Sequence, residues 1–240
     1  MRTAGQGLAM APKKRRATLP RKIIRSLLRS GLALTLLFAA LVLLYRLVQP
    51  VSTLMIARWV EGEKAERNWV ALGGISPALR TAVIVSEDAR FCAHGGVDWG
   101  ALREVISQDG QEGPSRGAST IAMQTAKNLF LWQSRSYLRK AIEIPLALLI
   151  GIEWPKKRIL EVYLNIAEWG DGIFGAEAAA RHYFGKSADK LGAREAALLA
   201  SALPNPRQRN AARPSRLHRF LAARLMARMA ADGALAGCAE

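Results

Sequence analysis

Two adjacent carboxylates, Glu87 and Asp88, follow directly on the apolar run Ala82-Val83-Ile84-Val85 in a chain of formal net charge +16. They belong to the stretch SEDARFCAHGGVDWGAL (86–102), which continues through Phe91, His94, the pair Gly95-Gly96 and Asp98. A solvated turn would account for such an acid pair. A carboxylate held at the edge of a cleft to act as a base would account for it equally. Two further segments set polar residues among apolar ones. GASTIAMQTAKNLFL (117–131) opens with Ser119 and Thr120, residue types that suit a helix N-terminus, and then spaces Gln124, Lys127 and Asn128 by three and four so that they share a face. Hydroxyls at a helix start followed by an amide and an ammonium would suit an anion, and they would also suit the outer face of an ordinary amphipathic helix. RSYLRKAIEIPLALLIGIEW (135–154) puts Glu143 four residues after Arg139 and just ahead of an apolar run. That is either a surface ion pair worth about 0.3–0.5 kcal/mol or a carboxylate whose charge is fixed by a neighbouring cation.

Together the three segments offer two carboxylates, Glu87 and Glu143, and a basic set, Lys127, Arg135, Arg139 and Lys140. Two carboxylates are what glycosyl-group chemistry commonly uses. Cations beside them are what a phosphate leaving group needs, because negative charge accumulates on it as the bond breaks. Glycoside hydrolysis has no such need.

The elements that must position these residues read as mainly helical. Beyond Trp59 there is little period-two alternation, and apolar residues recur at helical spacing. PKKRILEVYLNIAEWG carries Ile159, Leu160, Tyr163 and Leu164 on one side, with Pro155 suited to a first helical position and Lys157–Glu161 as a supporting pair. GAREAALLASALPNP is an Ala/Leu helix stopped by Pro204. PSRLHRFLAARLMARMAADG sets Leu217, Phe220, Leu221, Leu225 and Met229 along a stripe read as core, with Gly233 as an end signal. Residues 107–118 read as the one flexible loop.

Ahead of all this, residues 1–30 hold nine Lys/Arg and no acid, and the apolar stretch that follows reads as one transmembrane helix over 27–48. At ~1.5 Å per residue it would span about 33 Å, enough for a hydrocarbon core of ~30 Å. A cleaved signal peptide is the bland alternative. The lengths of the arm and of the apolar stretch, with no A-x-A-like site after it, favour a retained anchor. The positive-inside rule then puts 1–26 in the cytoplasm and the rest outside, in the periplasm of a bacterium. Subtracting the nine arm cations from 35 Lys+Arg leaves 26 against 19 acids, so the body is still basic and points to an anionic partner: nucleic acid, membrane surface or phosphorylated substrate. Cys92 and Cys238 fit no metal pattern and are taken as free thiols.

The motifs resemble those of the peptidoglycan glycosyltransferases, and in particular the monofunctional biosynthetic transglycosylases. E-D-x-x-F-x-x-H-x-G is matched by Glu87 to Gly96. G-x-S-T-I-x-Q-Q-x-x-K-N is matched by Gly117, Ser119, Thr120, Ile121, Gln124, Lys127 and Asn128. R-K-x-x-E is matched by Arg139-Lys140-Ala141-Ile142-Glu143, and K-x-x-I-L-E-x-Y-L-N by Lys156 to Asn165. GIFGAEAAARHYFGK and EAALLASALPNP extend the likeness, which covers roughly residues 75–215 in the family's order. Four ordered signatures are far more specific than one.

The resemblance implies a mainly α, lysozyme-like glycosyltransferase domain over 75–240 with a membrane-facing lobe, joined to the anchor by a connector over 49–74. It implies polymerisation of lipid II into glycan strands at the outer face of the inner membrane, with undecaprenyl pyrophosphate released, and membrane lipids and wall-synthesis or cell-division proteins rather than nucleic acid as further partners. Glu87 would be the general base. Lys127, Arg135 and Arg139 would stabilise the leaving pyrophosphate, and Ser119, Thr120, Gln124, Asn128 and Lys140 would complete the substrate contacts. Glu143 would assist at the donor diphosphate, either directly or through a divalent cation (Mg or Mn); no protein metal ligands are assigned. Asp88, His94 and Asp98 would support the motif loop. Bifunctional members append a transpeptidase, which this chain, ending at Glu240, is expected to lack.

Two positions depart from the pattern. Met123 stands where the family has the first of two glutamines, which puts that substrate contact in doubt. Pro145 follows Glu143 closely, so the helix either begins near Glu143 or is kinked there. The rival readings are a lytic enzyme of the same fold, against which the cations and the anchor argue, and a non-catalytic scaffold, which would have no use for Glu87 and Glu143.

Overall fold

A computed structural model of the chain describes residues 20–108, 117–133 and 136–239. The chain divides into two compact units, 1–40 and 41–240. In the first, α1 (Arg21–Tyr45) begins and carries exposed apolar side chains such as Leu28, Leu32, Leu36 and Leu37. It is the one helix among the described residues that is long and apolar enough to cross a membrane. It starts six residues earlier than the sequence expectation and stops three earlier, ahead of a turn and Pro50.

The second unit is helical around two packed groups. α2 (Thr53–Val60) is capped by Ser52, whose hydroxyl accepts from Met55 N–H at 3.1 Å. α3 (Pro77–Glu87) starts with Ser76 as cap and Pro77 in its first turn, and buries Ala82 to Val85 on all sides. α4 (Trp99–Gln108), α5 (Ile121–Phe130), α6 (Tyr137–Glu153) and α7 (Lys156–Ile166) follow, then α8 (Ala176–Phe184), α9 (Ala193–Ala202) and α10 (Arg216–Asp232). α9 packs on α3, and its Ala196, Ala197 and Ala200 are fully buried. α10 joins that group, while α5, α6 and α7 form the other.

The periodicity does not reveal the sheet, because its strands are too short to show any. β1 (Glu66–Arg67), β2 (Glu168–Gly170) and β3 (Ile173–Phe174) lie in the order β1-β3-β2, with β1 parallel and β2 antiparallel to β3. Arg58 of α2, nearly buried, locks this hairpin to α2 by pairing with Glu63 (2.8 Å), Glu168 (2.7 Å) and Asp171 (2.5 Å).

Three other expectations change. α6 runs from Tyr137 straight through Pro145 to Glu153, so the helix does not begin near Glu143; Ser136 caps it instead. Glu161 pairs with Arg158, not Lys157. α10 buries His218, Ala222 and Leu225; of the stripe read as core Leu225 is buried, whereas Leu217 and Phe220 are 63 % and 56 % exposed.

The cysteines are not free. The C-terminal 3-10 segment Gly233–Ala239 folds back over α3 and the 3-10 turn Phe91–Ala93, with Arg80 Nη1 donating to the Ala239 carbonyl at 3.0 Å. This brings Cys238 against Cys92, and the two form a disulfide across a sequence separation of 146. A cross-link closing so long a loop removes much freedom from the unfolded chain, so Cys238→Ala should cost about 2–5 kcal/mol. Thermal unfolding of the detergent-solubilised protein should show the same drop in Tm for this variant as for the wild type under a reducing agent. Equal Tm values with and without the bond would mean that it contributes nothing.

Candidate active site

The site is organised around the end of α3. Glu87 is its last residue, and Asp88 leaves the helical conformation. Asp88 is 7 % exposed, and its carboxylate ties separate parts of the chain together. It meets His94 Nε2 at 2.9 and 3.1 Å and accepts the Ile121 N–H at 3.0 Å. The other ring nitrogen of His94 accepts the Gly96 N–H at 3.2 Å, so the ring proton belongs on Nε2, facing Asp88. Lys156 Nζ donates to the carbonyls of Phe91 and His94 and sits 4.5 Å over the Phe91 ring. Asp98 caps α4 through the Ala101 N–H at 3.1 Å.

The glycine pair is explained by contact. Gly96 has φ +106°, and a Cβ there would collide with the Ala147 carbonyl, while a Cβ on Gly151 would collide with that of Gly95. The motif loop therefore rests on the α6 backbone. Thr120 fixes its other edge, donating to the Gly96 carbonyl at 2.5 Å.

These bonds bear on two sequence expectations. The hydroxyl of Thr120 also caps α5, as its place at a helix start suggested, by accepting the Met123 N–H at 3.1 Å, and the residue is 3 % exposed. The N-terminus of α5, which suited either an anion or an ordinary helix start, receives the Asp88 carboxylate of the chain itself. Met123 is fully buried in the core, so its departure from glutamine removes no accessible polar group.

Glu87 accepts a hydrogen bond from Gln124 Nε2 at 2.9 Å, and Tyr163 O–H donates to Gln124 Oε1 at 3.1 Å. Burial pushes the Glu87 carboxyl above its ordinary range; the Gln124 bond and the charges of Lys127 and Arg209 pull against this, while Asp88 adds to it. Glu87 lines a cavity of about 700 Å³ with Ser119, Asp98, Glu104 and Arg228. Gln124, Lys127, Asn128 and Tyr163 line a second of about 180 Å³. The Glu87–Gln124 bond thus links the linings of the two.

The third motif forms a buried charge cluster. Glu143 is 2 % exposed and pairs with Arg139 through one oxygen and with Lys140 Nζ at 2.8 Å through the other. Lys140 also donates to Ser119 Oγ at 2.8 Å. Lys127 is in electrostatic reach of Glu143, Arg139, Lys140 and Glu87. Burial foremost, then the two cations, lower its pKa, and the carboxylates oppose them. Arg135 lies outside the described residues. No group of three metal-ligating side chains occurs among the described residues, and both Glu143 oxygens already face cations. That donor set does not fit a protein-held divalent ion, and no step is drawn through one.

Tyr163, Lys156, Arg209 and Arg228 join the site without having been expected there from the motifs. Tyr163 and Lys156 are positions of the fourth motif that were given no role, and Tyr163 also shows as a polar tip inside an otherwise apolar stripe. Ser187-Ala188-Asp189-Lys190 has the S-x-x-K spacing of a transpeptidase nucleophile motif, but it forms a 3-10 turn and lines neither cavity.

The Transglycosylase family model matches residues 53–230. A biosynthetic peptidoglycan transglycosylase of Brucella suis is 54 % identical over 205 residues, covering 83 % of this chain and 92 % of the relative. Those of Agrobacterium fabrum and Rhodopseudomonas palustris are 50 % identical over 223 residues and 52 % over 224, each covering 92 % of this chain, and 97 % and 92 % of the respective relatives.

Removing the charge at Glu143 would leave Arg139 and Lys140 facing each other in a buried place. Breaking such a pair by deleting one partner costs about 3–5 kcal/mol. Glu143→Gln should therefore lower the unfolding free energy by that much, measured by denaturant titration against wild type at neutral pH. An unchanged midpoint would show that the cluster relaxes freely into water.

Proposed function

The chain belongs to the transglycosylase family and is a peptidoglycan glycosyltransferase acting on lipid II and the growing glycan strand, and within that activity we propose that Glu87 is the general base and that the cations around Lys127 stabilise the leaving diphosphate. The observation that carries this reading is the Glu87–Gln124–Lys127 arrangement: a carboxylate with raised proton affinity, next to a cavity, one helical turn of α5 away from a cation cluster. In the proposed step the acceptor hydroxyl loses its proton to Glu87 as its oxygen bonds to the donor's anomeric carbon. The bond from that carbon to the pyrophosphate breaks on the opposite face, and the diphosphate leaves with the electron pair, so the configuration inverts. Lys127, with Arg139 and Lys140 behind it, meets the charge that develops there. Glu143 holds the two cations of α6 in place and limits their repulsion of Lys127.

We place the catalytic unit on the periplasmic side, with the basic arm in the cytoplasm. The arm's charge supports this. So does the Cys92–Cys238 bond, because such bonds persist in oxidising compartments and not in a reduced cytosol.

Loss of a general base typically costs ~10²–10⁴ in rate. Glu87→Gln should fold, bind lipid II and lose polymerisation on that scale in an assay with labelled lipid II; near-normal strand synthesis would exclude Glu87 as base. The pH profile carries a second expectation. Glu87 must be ionised to take a proton and its pKa is raised, so activity should fall, as pH drops, sooner than for an ordinary glutamate. Lys127 must be protonated and its pKa is lowered, so activity should fall, as pH rises, sooner than for an ordinary lysine. The resulting bell in kcat/KM should be narrower on both sides than those ordinary values would set.

A further inference from the structure

We propose that Tyr163 is a positioning residue for the base: it holds the Gln124 amide so that its NH2 end, and not its carbonyl, faces Glu87. This rests on the reading of Glu87 as base. A side-chain amide has a donor end and an acceptor end of nearly the same shape. Which end meets a carboxylate decides whether the contact favours its charged form or opposes it. Glu87 by itself cannot choose, since a protonated Glu87 would be content with the carbonyl.

Tyr163 biases the choice, because its O–H would lose the Gln124 Oε1 acceptor it has here if the amide turned. It is 1 % exposed on α7, its ring held among core side chains. Its O–H donates to Gln124 Oε1 at 3.1 Å, and Gln124 Nε2 donates to Glu87 Oε2 at 2.9 Å. The two bonds point the same way, so each polarises the next toward the carboxylate. Burial, with the charges of Glu87 and Asp88 added, pushes the Tyr163 phenol well up, so it keeps its proton and remains a donor wherever Glu87 is ionised. The other charged groups facing Glu87 are Asp88 beside it, Lys127 of α5 and Arg209 from the α9–α10 connection, with Arg90, Asp98, Glu104 and Arg228 lining the same cavity. Substituting Tyr163 alters none of these charges. Gln124, expected from its motif to touch substrate, has its carbonyl and one N–H committed to this chain.

The test compares pH profiles of kcat and kcat/KM with lipid II for wild type, Tyr163→Phe, Gln124→Met and the double variant. Tyr163→Phe keeps the buried ring and deletes only the donor. The acidic limb should move up by about half to one pH unit and kcat at the optimum should fall about three- to tenfold, the scale of one neutral hydrogen bond, with KM little changed. Since Tyr163 acts only through Gln124, the double variant should be no worse than Gln124→Met alone. Glu87→Gln is run alongside. If it polymerises normally, the base reading fails and this proposal falls with it. If Glu87→Gln is inactive while Tyr163→Phe leaves the limb in place, the base stands and the positioning role is wrong. Losses that multiply in the double variant also overturn the positioning role, as does a fall in Tm with no shift of the limb.

Discussion

A single buried carboxylate, that of Asp88, holds together parts of the chain that the sequence leaves far apart. It ends α3, receives the imidazole of His94 and takes the first N–H of α5, thirty-three residues on. A buried charge of this kind is tolerated only when its acceptor positions are filled, and here they are filled by groups that each belong to a different element. The result is that Glu87, one residue earlier, has little freedom. Its backbone belongs to a helix packed on all sides, and the helix that supplies Gln124 and Lys127 is tied to the very next side chain. The acid pair in a basic chain is therefore two unlike residues. Asp88 is spent on the fold, and Glu87 is left facing the cavity because Asp88 is spent.

The electrostatics of the site follow from the same tie. α5 presents Gln124 to Glu87, and Lys127, three residues on, within reach of Glu87 and of the α6 cluster. A lysine so enclosed loses hydration and meets two further cations, and each effect alone would favour deprotonation. Glu143 counters them. Its two oxygens are divided between Arg139 and Lys140, which lowers the positive field at Lys127 without neutralising Lys127 itself. On the proposed reading, the Lys127 ammonium would meet the diphosphate of the substrate.

Much of this was legible in the sequence, and the parts that were not share a cause. Glu87, Glu143, Lys127, Arg139 and Lys140 stand out in the sequence by type and spacing, and the structure brings them near one another. Thr120 suited a helix start from its type alone, and it caps α5; its second bond, to the Gly96 carbonyl, depends on a loop twenty-four residues earlier and has no local signal. The stripe on α10 misled in part. Leu217 and Phe220 are apolar but exposed, while α10 buries His218, whose Nε2 meets the Leu198 carbonyl of α9 at 2.9 Å. The disulfide required the fold-back of a segment 146 residues away, which no local pattern announces. Of the two readings Pro145 left open, a helix start near Glu143 is excluded, since Pro145 lies inside α6. Ser136 caps α6 and tertiary packing around Leu146, Ala147 and Ile150 carries the helix past the proline.

α7 shows why the fourth motif needs all of its polar residues at once. Lys156 reaches one way to the carbonyls of the motif loop. Arg158 reaches another, to the carbonyls of Tyr45 and Val48, where Trp154 just before the helix also donates to the Val42 carbonyl at 2.8 Å. Glu161 accepts the Leu72 N–H at 3.0 Å, and the Asn165 amide bonds both the N–H and the carbonyl of Val70 at 2.9 Å. Tyr163, between them, points to Gln124. Each of these groups satisfies backbone or side-chain atoms that would otherwise be buried unpaired, so each carries a desolvation penalty if its partner is lost. The helix is consequently held in rotation and along its axis from several sides by bonds that have nothing to do with substrate. That restraint is what allows the one bond that does bear on the chemistry, from Tyr163, to be made to a fixed place.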